Sequence, residues 1–192
     1  MKTYRMTEHE VDRPQIGDRI RFELADGEKV EAMAVKEETD GMIFCTVDYL
    51  DKRYPMNLGA YNAGGYEASD LRKILNTGIL DRFPDNLRRE IAPFANGDLL
   101  RIPTEMEMFG ETRSGEEEPA EVTQWELMKD RRNREAYRKG VWGWGWLQNV
   151  SAVSVTGFVG VDGDGRTVAL YPSQSNGVRL VFKLKDDVSK DE

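Results

Sequence analysis

Three indoles, Trp142, Trp144 and Trp146, fall within five residues in the stretch GVWGWGWLQN. An indole carries a broad apolar face and a single N–H donor, so it either stacks on a ligand or fills a core. In a strand the three would share one face, because side chains alternate. Gly143 and Gly145 would leave the other face bare, open to close approach by another backbone or side chain. Three indoles on one face point to packing, so Trp142 and Trp146, with Leu180 and Phe182, are assigned to the core. Trp144 is kept as a ligand contact. The polar exit of the stretch, Gln148 and Asn149, carries hydrogen-bonding groups suited to a ligand. A second polar segment, YPSQSN, leads into the last strand and adds Tyr171, Ser173, Ser175 and Asn176 to the candidate binding set. Loops on a rigid sheet commonly carry binding.

Groups for covalent or metal chemistry are few. The chain has one histidine, His9, and one cysteine, Cys45. Cys45 sits among β-formers and reads as a small buried side chain. Neither residue's context suggests a Cys–His pair, and a zinc site built from His and Cys lacks ligands. YNAGGYEASD matches neither the P-loop nor the dinucleotide pattern, and no cofactor is expected. Asp162 and Asp164 in VDGDGRTV resemble the start of a calcium loop, but no glutamate follows at the required spacing, and a tight turn is the better reading. Glu116, Glu117 and Glu118 form a charge run expected to be solvated. Nothing among 35 acidic residues singles out a pair for glycoside hydrolysis.

The whole chain narrows the classes further. Its 192 residues can bury a sizeable core, and its net charge of −8 disfavours a phosphate-tracking nucleic-acid surface. No apolar run approaches the ~20 residues of a membrane helix. The opening MKTYRMTEHEVDR lacks the apolar middle of a signal peptide, so the chain as given reads as cytoplasmic. A trimmed signal or a prophage origin would place it outside the cell or on a phage particle.

The elements that must hold these groups are read as follows. Alternation in GDRIRFEL, the turn residues Asp26-Gly27 and the DGMIFCTVDYL run describe an N-terminal β-meander over residues 17–50. YEASDLRKILNTG reads as a helix capped by Ser69 or Asp70, with Leu71, Ile74 and Leu75 on one face and Gly78 as terminator. FPDNLRREIAPF reads as a second helix that Pro93 stops. PTEMEMFG holds a Thr104-x-x-Glu107 capping box. ETRSGEEEPAEV reads as a mobile loop. TQWELMKDRRNREAYRKG reads as a surface helix opened by a second box, Thr123-x-x-Glu126, with Trp125, Met128 and Ala136 on its apolar stripe and Gly140 at its end. Strands resume at 141, and KDDVSKDE reads as a solvated tail. Strands, then helices, then strands make an α+β fold. One domain is expected over 1–185, with an acidic tail over 186–192.

The order of these motifs resembles a bacterial and phage domain family of unknown function, the one numbered 6273 in the domain-of-unknown-function series. YEASDLRKILNTG is similar to its S-x-LR-x-WLN helix, and RIPTEMEMFG stands where its LPT/S-x-E-E segment falls. GWGWLQNV looks like its WWLRS segment, and GVRLVFKL like its closing GVRP-A-x-x-L strand. The resemblance spans roughly residues 17–185. Gln148-Asn149-Val150 replaces the family's Arg-Ser-Pro. The family is similar in turn to the C-type-lectin-like fold, to formylglycine-generating enzymes and to the variable proteins of diversity-generating retroelements. The resemblance implies an N-terminal meander, central helices and C-terminal antiparallel strands that pair with the N-terminal ones, with ligand contacts on long loops. It implies no activity, and a lone Cys45 in an early strand does not supply the cysteine or copper chemistry of the formylglycine-generating enzymes.

The expected function is a non-enzymatic ligand-binding or structural module, with a protein or glycan as its partner and neither nucleic acid nor membrane. A carboxylate-based glycan hydrolase and an oligomerisation or assembly domain are the alternatives. Arg179, on the opposite face of its strand from Leu180, is expected to be buried and paired with a carboxylate.

Overall fold

A computed structural model describes residues 14–186. His9 and the expected tail beyond residue 186 lie outside the described residues. Three strands, β1 (Arg19–Glu23), β2 (Lys29–Glu38) and β3 (Gly41–Thr46), form the expected antiparallel meander. Gly27, with φ of 86°, makes the first turn in a conformation that other residues rarely adopt. Along β1, Ile20 and Phe22 turn inward while Arg19, Arg21 and Glu23 stay exposed.

β3 is buried along its whole length, as its unbroken apolar run GMIFCT requires. Met42 and Phe44 enter one core cluster, and Ile43 and Cys45 enter another on the opposite face. Cys45 is fully buried, and burial pushes its thiol pKa up, which makes it an unreactive packing residue. Strand β4 (Ile91–Ala92) and the final strand, β10 (Val181–Lys185), complete a five-stranded sheet of order β1-β2-β3-β10-β4. Phe182 lies opposite Phe44, the rings stacked with centroids 5.8 Å apart. Phe22 and Phe83 meet Phe182 edge-on. Burying each such ring stabilises the fold by about 1.5–3 kcal/mol. Leu180 and Phe182 thus belong to the core, as expected.

The helical layer is short. In α1 (Asp70–Ile74), Ser69 Oγ accepts the Arg72 amide at 3.1 Å. The helical path does not stop at Gly78. It continues through a wider π turn (Leu75–Ile79) and a tight 3-10 turn (Leu80–Arg82). Leu71, Leu75, Ile79 and Phe83, four residues apart, are all buried, and that packing outweighs the ~1 kcal/mol penalty of a helical glycine. Asn76 uses both ends of its amide here: Nδ2 donates to Leu100 O, and Oδ1 accepts the Leu99 and Leu100 amides. Helix α2 (Asp85–Glu90) ends where β4 begins, two residues before Pro93.

In α3 (Glu105–Phe109) the capping box forms in full, and Gly110, with φ of 75°, ends the helix. Glu107 accepts the Thr104 amide at 2.9 Å and takes both Arg101 guanidinium nitrogens, at 2.6 and 2.8 Å. Arg101 also stacks over Phe94, 4.6 Å from its centroid.

The second capping box does not form. Residues 123–139 make two 3-10 turns, Glu126–Lys129 and Arg131–Asn133, in place of a long helix. Side chains capture the carbonyls a helix would use: Asn133 Nδ2 takes Leu127 O, and Arg134 Nη1 takes Met128 O. Trp125, Met128 and Ala136 are buried nonetheless. Gly140 ends no helix. With Lys139 it makes a two-residue loop with positive φ at both positions, 51° and 76°, between β5 (Tyr137–Arg138) and β6 (Val141–Trp142).

The segment read as a mobile acidic loop is tied down. Ser114 and Gly115 amides donate to the buried Glu105 carboxylate, Glu116 N donates to Val150 O, and Glu118 Oε1 accepts from Met106 N and Asn149 Nδ2. It borders a second antiparallel sheet, β7 (Gly145–Val150), β8 (Phe158–Val161) and β9 (Thr167–Leu170). Among the C-terminal strands, β10 alone pairs with the N-terminal meander; β7, β8 and β9 pair with one another. The architecture is α+β, with a curled antiparallel sheet and few helices.

Arg179 is buried, at 3% exposure, but its partners are carbonyls rather than a carboxylate. Nε donates to Thr46 O at 2.7 Å and Nη1 to Asn133 O at 2.8 Å, joining the end of β3 to the second 3-10 turn. Charged donors make such bonds stronger than neutral ones. Replacing Arg179 with Ala is expected to cost about 3 kcal/mol by the sum of those bonds. Arg179→Lys should recover only part of the loss, because an ammonium does not span both carbonyls; thermal unfolding of the two variants measures this.

Candidate functional site

The three indoles do not share a face. The chain leaves β6 at Trp142, crosses Gly143 and Trp144, and enters β7 at Gly145. That break rotates the alternation. Trp146 is buried at 2% exposure, packs edge-on to Phe158, and donates Nε1–H to Tyr54 O at 2.7 Å. Trp142 and Trp144 are 61% and 45% exposed. The assignment of Trp142 to the core is therefore corrected, and that of Trp146 stands.

What breaks the alternation is Tyr49. Its ring lies against Gly145 and Gly177, so close that a Cβ on either would fall 2.2 or 2.4 Å from a ring atom. Gly143 is in ordinary contact with the same ring. The bare glycine face expected from the sequence is thus real, and a tyrosine from the end of the meander fills it. Gly177 N donates to Trp144 O, and Trp146 N donates to Gly177 O, which fixes the crossing.

Trp142 is held from two sides. Tyr137 is its cross-strand partner on β5, and Gly163, in the β8–β9 turn, lies under its six-membered ring. The β5–β6 hairpin is anchored in turn: Asp48 Oδ1 accepts Tyr137 N, Tyr137 O accepts Tyr49 N, and Lys139 pairs with Asp51. Tyr137, Val141, Trp142 and Trp144 are all exposed. Tyr137, Trp142 and Trp144 thus give an anchored hairpin and its exit three exposed aromatic rings, an aromatic platform, while Val141 lies on the other strand face from Trp142. Tyr137 was missed in the sequence; the signal for it was Lys139-Gly140, a two-residue hairpin loop read as a helix end.

The other sequence candidates separate into two places. Gln148 and Asn149 lie farther along β7 and are spent on structure. Gln148 Nε2 donates to Ile102 O at 2.6 Å; Asn149 Oδ1 accepts Glu105 N and its Nδ2 donates to Glu118 Oε1, each at 2.7 Å. Tyr171, Ser173 and Ser175 are exposed in their loop. Asn176 is buried and pairs through its backbone with Tyr54. That loop joins the platform through Gly177, where it meets Trp144. Asp162 Oδ1 accepts the Asp164 and Arg166 amides, each at 2.9 Å, which is the expected tight turn. Among the described residues, no group of three or more His, Cys, Asp or Glu side chains is arranged to hold a metal ion.

A cleft of about 550 Å³ runs between β1, β2 and Asp48–Leu50. Two of its carboxylates are committed: Glu31 to Arg19 and Arg21, and Glu28 to Arg82. Buried Glu105 has its pKa raised by desolvation, and its oxygens are occupied by backbone amides. No helix among the described residues is long and apolar enough to cross a membrane. The chain matches no protein-family model, no curated protein and no solved structure.

Proposed function

We propose that this chain is a non-enzymatic binding module of C-type-lectin-like fold, related to the family of unknown function numbered 6273, and that its ligand is a glycan. The observation that carries the reading is the pair of indoles Trp142 and Trp144, 61% and 45% exposed on an anchored hairpin. A folded protein does not ordinarily leave two indoles two residues apart in water, and exposed apolar surface of that size marks an interaction site. The C–H face of a pyranose stacks on an indole, and the exposed Asp164 and Tyr171 offer hydroxyl partners in adjoining loops. The pairing of first-meander and final strands, the short helices and the long irregular connections support the lectin-like reading. The net charge of −8 favours a neutral or cationic partner over nucleic acid.

The test is a glycan array probed with the wild-type chain and with the Trp142→Ala, Trp144→Ala double variant. Wild type is expected to bind a subset of glycans, with a change in tryptophan fluorescence. The double variant should lose at least tenfold in affinity while keeping its melting temperature within a few degrees, because neither indole is core. An array on which wild type binds nothing, or on which both proteins bind alike, overturns the reading.

A further inference from the structure

A second cleft, of about 190 Å³, lies between α3, Arg134 and the β8–β9 turn, the turn whose Gly163 also meets Trp142. Arg113, Arg134, Arg166, Thr167 and Phe109 line it, with the carboxylates Glu105 and Glu111. Three guanidinium groups converge on one small cavity in a chain whose net charge is −8.

Two of these cations make no ion pair among the described residues. Arg113 is paired with Glu111 at 2.7 Å. Arg134 makes no ion pair among the described residues; it spends Nε on Gly165 O and Nη1 on Met128 O, and stacks over Phe109 at 5.0 Å. These contacts hold its guanidinium plane fixed and leave Nη2 without a partner. Arg166 is exposed, and its side chain has neither a hydrogen bond nor an ion pair among the described residues. The Thr167 hydroxyl, bonded to Ser114 Oγ at 2.9 Å, adds a neutral polar group to the wall. Burial, and then the neighbouring charge of Arg131, push the Arg134 pKa down, against the opposing charge of Asp130. Glu105 is not ion-paired with any of the three: its oxygens accept the Ser114 and Gly115 amides.

We propose that this cleft is a binding site for the phosphate group of a small phosphomonoester. Such a group carries about two negative charges at neutral pH and three acceptor oxygens, matching the two unpaired guanidiniums. The cavity admits a phosphate and a few further atoms. Arg134, pre-positioned on Phe109, supplies the fixed donor, and the exposed Arg166 supplies a second from the β8–β9 turn.

The site is tested with O-phosphoserine and inorganic phosphate as probes, by titration calorimetry on the full chain at constant ionic strength. Saturable 1:1 binding of O-phosphoserine is expected, with serine showing none. Arg166→Glu should weaken it at least tenfold and leave the ligand-free melting temperature within a few degrees, because this side chain is exposed and makes no ion pair among the described residues. Arg134→Lys, which keeps the charge but loses the fork, should also weaken binding. Inorganic phosphate binding as tightly as O-phosphoserine would assign the cleft to free phosphate and overturn the phosphomonoester. Absence of saturable binding, or equal binding by wild type and Arg166→Glu, overturns the site altogether. The indole platform is assayed separately, with uncharged glycans, so failure of one site is distinguishable from failure of the other.

Discussion

Replacing Gly145 with Ala is expected to lower stability by about 3 kcal/mol or slightly more, the upper range for overpacking a filled core. For a chain of this size that is a fall in melting temperature of roughly 6–12 °C. The cause is steric. A Cβ at 145 would stand 2.2 Å from Tyr49 Cε1 and 2.7 Å from its hydroxyl oxygen, inside any real contact distance. The ring cannot retreat, because Gly177 packs its other ring atoms equally closely. Gly177→Ala should behave alike. Tyr49→Ala alone leaves a cavity and also destabilises, but combined with Gly145→Ala the losses should fall well short of their sum, with a coupling of about 1 kcal/mol or more. Melting curves of the two single variants and the double variant decide it. A Gly145→Ala protein melting within a degree of wild type would mean that the ring is not held there.

The second large effect concerns Glu107. Its carboxylate holds Arg101 through two hydrogen bonds and caps α3 through Thr104 N. Both side chains are close to fully buried, at 12% and 8%. Glu107→Ala leaves a guanidinium in a low-dielectric site against Phe94 and Trp125, with the cap gone. Removing one partner of a buried pair costs about 3–5 kcal/mol. The paired change Arg101→Met with Glu107→Leu removes both charges, and should denature at a higher urea concentration than Glu107→Ala alone. If the single variant matched wild type in its urea midpoint, the pair would be contributing nothing.

Parts of this fold were legible because local chemistry and global packing agree. Ile20 and Phe22 alternate with charge, so β1 could be read directly. GMIFCT is apolar throughout, and β3 is buried on both faces. Thr104 and Glu107 are a self-contained cap, closed within three residues. Elsewhere a distant partner decides. The alternation at Trp142, Trp144 and Trp146 is broken by Tyr49, which arrives from the far end of the meander, and no pattern within GVWGWGWLQN encodes that. The helical period at 123–139 is genuine, but the Leu127 and Met128 carbonyls are taken by Asn133 and Arg134 side chains. Arg179 was legible as buried but not in its partners, because carbonyl acceptors leave no mark in sequence. For the candidate site, the structure separates the residues of that one segment. Gln148 and Asn149 turned out to be structural, and Trp142 and Tyr137 joined Trp144 at the surface.

The position of β10 has a consequence for how the chain is made. This strand sits inside the five-stranded sheet, between β3 and β4, although it is the last strand of the described chain. Until Val181–Lys185 has emerged from the ribosome, the meander must wait with β3 as an open edge, its Phe44 face uncovered. An unpaired apolar edge is a template for pairing with other chains. Closing the sheet then joins segments separated by most of the sequence, a slow step by the usual relation between contact separation and rate. The long interval between synthesis of β3 and arrival of β10 is therefore when a nascent copy is most exposed to aggregation, and when a holdase chaperone has its substrate.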